Sequence, residues 1–146
     1  MMPVFSEHPV TRRPVSEVEA FRIAPGDSNY FALLLDKTAG GTNAVCVVEI
    51  FTVGGRTPPN THAAADEFFY VLSGTGIARC DGSEVPLRKG DALLVKPGAE
   101  HVVENTGDAK LYTLTVMTPN EGFAELIRGG ERVHLDAEDL AVLCEE

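Results

Sequence analysis

The sequence predicts an all-β domain of the sandwich or barrel kind, and three observations carry that prediction. Short apolar runs rich in β-branched residues recur between residues 44 and 117, at the roughly 8–12-residue spacing of such folds. Fourteen glycines and nine prolines punctuate the chain between these runs. With 146 residues, 44% of them hydrophobic, it has room for one domain whose core needs no disulfide or metal staple.

The elements follow in order. Ser16 to Ile23 reads as an extended arm, because Val18 alternates with charges and the run closes at Ala24-Pro25-Gly26-Asp27. Tyr30 to Leu35 is a second run, ending at Asp36 before Gly40-Gly41. Ala44 to Val53, AVCVVEIFTV, carries the strongest strand signal and stops at Gly54-Gly55. Glu67 to Leu72 is the next strand and stops at Ser73-Gly74. Ile77–Cys80 and Glu84–Leu87 flank Asp81-Gly82, a hairpin signal. The turn Lys89-Gly90-Asp91 precedes a strand over Ala92–Val95. His101–Glu104 and Leu111–Met117 complete at least seven strands from residue 44 onward. Phe123–Arg128 reads as a helical turn, and Asp136 as the cap of a short helix through Leu143, with Asp139 three residues on. That helix is expected on the outside of the barrel. The organisation predicted is an N-terminal arm over 1–40, partly extended, a barrel over 41–119 and a tail with a short helix over 120–146, all in one domain.

Charge narrows the partners. With 22 acidic and 12 basic residues the formal net charge is −10, which repels phosphate and disfavours nucleic acid or an anionic membrane. No helix-turn-helix pattern precedes the strands, and no run of 18 apolar residues suits a transmembrane helix. Met1 to Val10 lacks the basic and apolar regions of a secretory signal. Cys46, Cys80 and Cys144 form no CxxC pair and read as reduced thiols, so a cytoplasmic location is expected.

Candidate chemistry gathers at two histidines. His8 and His134 sit in the terminal segments without ligand-spaced neighbours. His62 and His101 each follow a proline-containing turn. Asn60 and His62, two apart, can face one side of a strand. Glu67, five residues past His62, joins them only if a turn over Ala63–Asp66 resets the phase. With His101 from a separate strand, two imidazoles and one carboxylate make the set that holds a divalent first-row metal and leaves positions open. A carboxylate opening the apolar run Phe68-Phe69-Tyr70-Val71 is costly to bury alone, and a metal would neutralise it.

These two blocks resemble the paired motifs of the cupin superfamily. Gly54, five residues, Asn60-x-His62, four residues, Glu67, six residues and Gly74 follow the first motif. Gly90, five residues, Lys96-x-Gly98, two residues, His101, three residues and Asn105 follow the second. Two positions depart: Asn60 stands where the family has its first ligand histidine, and Lys96 where it has proline, with Pro97 one place later. The resemblance implies a double-stranded β-helix, or jelly-roll barrel, and often a homodimer. It carries metal ligation to His62, Glu67 and His101; Asn60 is either a weaker fourth ligand through its amide oxygen or the mark of an emptied site. The cofactor implied is one divalent transition metal, Fe, Mn, Ni, Zn or Co. Catalytic residues are not assigned.

Alternation from Glu67 puts Phe69 and Val71 inside, and alternation from His101 puts Val103 inside. Leu111–Met117 presents either Tyr112/Leu114/Val116 or Thr113/Thr115/Met117, a register the sequence leaves open. Cys46 and Cys80 are further candidates for the barrel wall, and Arg56 and Arg79 are isolated candidate cations. The pocket expected is apolar with one polar metal corner, suited to a small organic acid or an aromatic or carbonyl compound. Two functions follow: a metal-dependent enzyme on a small molecule, of oxygenase or isomerase/lyase type, or a non-catalytic small-ligand-binding cupin. A last expectation is that part of the N-terminal segment pairs with a neighbouring subunit as an edge strand.

Overall fold

A computed structural model describes residues 9–144, so His8 lies outside the described residues. The strands are β1 (Glu19–Arg22), β2 (Asn29–Leu35), β3 (Val45–Phe51), β4 (Asp66–Ser73) and β5 (Thr75–Cys80). They continue with β6 (Ser83–Arg88), β7 (Ala92–Val95), β8 (His101–Asn105) and β9 (Leu111–Thr118). Helix α1 (Phe123–Arg128), strand β10 (Glu131–Val133) and helix α2 (Ala137–Cys144) follow. A seven-stranded sheet in the order β10-β1-β2-β3-β9-β4-β7 faces a three-stranded sheet, β6-β5-β8. Bridges Arg56↔Glu104 and Asn60↔His101 lay the loop after β3 along the free edge of β8. The result is a double-stranded β-helix with a short C-terminal helix, as the sequence predicts.

Local chemistry explains the elements. In β4, Glu67, Phe69 and Val71 are 4%, 3% and 1% exposed, while Phe68 and Tyr70 face outward. That alternation is the signature of a strand with one face on a core. Asp81 (φ 49°) and Gly82 (φ 80°) are both left-handed, as a two-residue hairpin between β5 and β6 requires. Gly74 combines a φ of 92° with close approach, since a Cβ there would sit 2.6 Å from the Lys110 carbonyl oxygen.

Inside the barrel, Phe51, Phe69, Val71, Leu87, Val103 and Leu111 form one cluster. Phe31, Leu33, Val45, Val47 and Met117 form another, capped by Ala124 and Ile127 of α1. Each fully buried side chain of this size contributes roughly 1.5–3 kcal/mol through removal from water. The open register of β9 resolves through its neighbours: Thr113 lies opposite Glu49, and Met117 opposite Glu67, so Thr113, Thr115 and Met117 face in. Tyr112 instead joins Tyr30, Ala32, Val48 and Ile50 on the outer face, beneath Val142 and Leu143 of α2.

Helix α2 is tied down by a buried acid. Asp136 and Asp139 exchange hydrogen bonds in a reciprocal cap, through the Asp139 amide (2.8 Å) and the Asp136 amide (3.1 Å). Asp139, 0% exposed, also accepts from Tyr30 Oη (2.7 Å), Tyr112 Oη (2.7 Å) and Lys110 Nζ (3.1 Å). Desolvation and the neighbouring Asp139 push the Tyr30 phenol up to about 12.

Two expectations change. The tail holds an unexpected strand, β10, which pairs with β1 from Ala20↔Val133 to Arg22↔Glu131. Because β2 occupies its other edge, β1 has no free edge to offer a neighbouring subunit.

Candidate metal centre

The chain brings His62, Glu67 and His101 to one point. Glu67 is the second residue of β4, held in register opposite Val95 and Met117. His101 opens β8, where its backbone exchanges hydrogen bonds with that of Asn60 (2.9 and 3.1 Å). His62 arrives from the loop between Asn60 and β4, fixed at both ends of that loop. Its carbonyl accepts from the Gly98 amide at 2.7 Å, so the Lys96-Pro97-Gly98 turn anchors it. The next two amides, of Ala63 and Ala64, donate to the Glu121 carboxylate at 3.2 and 2.9 Å. This loop resets the strand phase and lets Glu67 share a face with His62.

One potential ligand atom from each of the three residues lies within 4.8 Å of the others. Glu67 Oε1 is 2.8 Å from His101 Nε2 and 3.2 Å from His62 Nε2. The imidazole centroids are 5.5 Å apart. The side chains of His101 and Glu67 are 2% and 5% exposed, that of His62 15%. Burial pulls the His101 imidazole down, but the Glu67 carboxylate and the Ala99 carbonyl outweigh it, leaving it above its ordinary value. Burial likewise pushes Glu67 up, and its bonds to His101 and His62 bring it below the usual carboxylate range.

The donor set fits a cation. His101 Nδ1 lies 3.0 Å from the Ala99 carbonyl oxygen and donates to it, so in the neutral ring Nε2 presents a lone pair toward Glu67. A lone pair and a carboxylate oxygen at 2.8 Å need a proton or a metal between them. Asn60 adds a second sign. Its Oδ1 is buried with no hydrogen-bond partner, and as the bridge partner of His101 its side chain shares that face.

The three residues and Asn60 border a cavity of about 330 Å3, within the range of small-molecule sites. Phe31, Phe69, Val103, Met117 and Phe123 make most of its apolar wall. Phe69 and Val103 stand where alternation places them. Neither Cys46 nor Cys80 contributes to this wall. Arg56 and Arg79 do not reach it either, and Arg79 is paired with Glu84 and Glu104. Asn105 takes a framework role, its Nδ2 donating to the carbonyls of Phe51, Thr52 and Ala109 (3.1, 3.0 and 2.9 Å).

A second polar corner carries no motif in the sequence. Glu49 of β3 and Asn29 of β2, each 3% exposed, also line the cavity. Asn29 Nδ2 donates to Glu49 Oε2 at 2.8 Å. Complete burial, with the Glu67 charge beside it, pushes the Glu49 carboxyl up to about 8. The signal for Glu49 was its parity: it alternates with Val45, Val47 and Phe51, all of them inward.

Comparison with known proteins agrees with this architecture. The family model described as "Cupin domain" matches residues 47–117. The oxalate-binding protein of Thermotoga maritima is 36% identical over 64 residues, 44% of this chain and 53% of that protein. Protein SchB of Streptomyces halstedii is 35% identical over 79 residues, 54% of this chain and 57% of that one. These matches thus span little more than half the length of either relative. Among solved structures, a predicted oxalate decarboxylase from Thermotoga maritima is similar with a TM-score of 0.63 at 29% identity, covering 74% of this chain and 96% of that one. The domain match and the shared barrel support a cupin superfamily member.

Proposed function

We propose that this chain is a cupin that holds one divalent transition metal on His62, Glu67 and His101, with Asn60 Oδ1 as a fourth donor. The observation that carries the reading is the convergence of three ligand atoms within 4.8 Å on the wall of an apolar cavity. A bound Fe, Mn, Ni, Zn or Co ion would supply a Lewis acid or an O2 site for a small ligand that chelates through oxygen. The chain's own residues do the rest. Ala99 fixes the His101 tautomer, Glu121 and Gly98 fix the His62 loop, and the phenylalanines exclude water and orient an apolar body. This arrangement suits an enzyme of oxygenase or isomerase/lyase type.

Asn60 favours one second reading, a cupin that binds a small ligand without turnover, because an amide is a weaker ligand than imidazole. We place the protein in the cytoplasm as a homodimer. Phe68, Tyr70 and Leu94, all exposed on the outer face of β4 and β7, support a partner there, and the free thiols suit a reducing compartment. Among the described residues no helix is long and apolar enough to cross a membrane.

Elemental analysis of untagged protein purified without chelators tests the proposal. About one equivalent of transition metal, lost in His101→Ala, is the expected result. Metal-free protein that stays folded and takes up no added metal would overturn it.

A further inference from the structure

The cavity has a second recognition end. Asn29 clamps one oxygen of Glu49 at 2.8 Å and leaves Oε1 without a hydrogen-bond partner among the described residues. Asn29 is itself nine-tenths and more buried, and its Oδ1 has no partner. A buried amide oxygen without a partner is costly, and Glu49, beside it, lines the cavity where a ligand can reach. The charge of the wall narrows that ligand. Asp27, Glu49, Glu67 and Glu121 line the cavity, and among the described residues no lysine or arginine does. Asp27 and Glu121 are already committed, to the amides of Ala24, Ala63 and Ala64. The far end, at Asn29 and Glu49, offers a carboxylate or a phosphate no guanidinium or ammonium to receive it.

We infer that the Asn29–Glu49 pair is a ligand-recognition site, and that the cavity takes an uncharged, ring-sized compound with oxygen at both ends. One end chelates at His62, Glu67 and His101; the other, a hydroxyl or carbonyl oxygen, accepts a hydrogen bond from Glu49. The body between them lies against Phe31, Phe69 and Phe123. A cavity of about 330 Å3 is far larger than a two-carbon diacid needs. Burial, which pushes the Glu49 carboxyl up to about 8, supports its role as a donor near neutrality. The inference rests on the proposed metal centre only for the chelating end.

Calorimetric titration with 2′-hydroxyacetophenone and 2′,4′-dihydroxyacetophenone tests it. Both chelate through the same ortho pair, and only the second carries a far hydroxyl. Each is titrated into zinc-loaded and metal-free protein. The far hydroxyl should tighten binding about five- to tenfold, the worth of one well-made hydrogen bond. Glu49→Gln, which keeps an N–H donor, should retain most of that gain, and Glu49→Leu should abolish it. Asn29→Ala, which unclamps Glu49, should reduce it. Oxalate should bind zinc-loaded protein at least about tenfold more weakly than the dihydroxy probe. Equal binding of the two probes by the natural protein, a gain that survives Glu49→Leu, or tighter binding of oxalate would each overturn the inference. So would failure of both probes to bind either form. Failure of the metal centre reads out separately, as zinc not retained, and the metal-free titration then decides on Glu49.

Discussion

Glu49→Gln should flatten the dependence of stability on pH. The carboxyl is completely buried, and burial with the nearby Glu67 charge raises it from 4.5 to about 8 in the folded chain. Below pH 4.5 both folded and unfolded chains hold this proton, and the folded state keeps its full stability. Between 4.5 and about 8 the unfolded chain releases the proton while the folded chain retains it, so stability falls as pH rises. Above about 8 both are ionised and the penalty is constant. At about 1.4 kcal/mol for each pH unit crossed, the full penalty comes to about 5 kcal/mol. Cavity water reaching Oε1 lowers this, so about 2–5 kcal/mol is the expected range. Urea unfolding of both proteins between pH 4 and 9, with a chelator present, isolates the effect. The natural protein should lose stability relative to Glu49→Gln from pH 5 to 8. Parallel profiles, differing by a constant across that range, would refute the assignment of Glu49 as a buried, protonated acid.

Two further outcomes follow from other parts of the fold. Glu121→Ala frees the amides of Ala63 and Ala64, loosens the loop carrying His62, and should weaken zinc affinity about three- to tenfold with little change in melting temperature; competition with a chromogenic chelator measures it. Asp139→Ala strands the hydroxyls of Tyr30 and Tyr112 beneath α2 and should cost about 2–4 kcal/mol in urea unfolding, with earlier proteolysis near residue 137.

Much of the barrel was legible because its signals are local. The strand around Glu67, the Asp81-Gly82 hairpin and the cap at Asp136 each rest on residues within one element. The meeting of His62, Glu67 and His101 was legible only through paired spacing, since Glu67 and His101 come from strands 34 residues apart. What was not legible depends on distant partners. The face of β9 was decided by registers with β3 and β4, where a slip of one residue inverts it. Asn29 carries no signal of its own, for its partner Glu49 lies 20 residues on. Strand β10 is three residues long, and only its pairing with β1 makes it a strand.

That pairing joins segments about 110 residues apart. β1 has β2 on one side and β10 on the other, Arg128 reaches back 92 residues to Asp36, and Asp139 reaches back 109 to Tyr30. During synthesis, β1 therefore waits with one edge bare until residues 131–133 have left the ribosome. The wide outer surface around Tyr30 and Ile50 stays wet until α2 follows. The sheet is thus closed only by late-made residues, and a nascent chain stalled before residue 130 would present an open strand edge to its neighbours on a polysome.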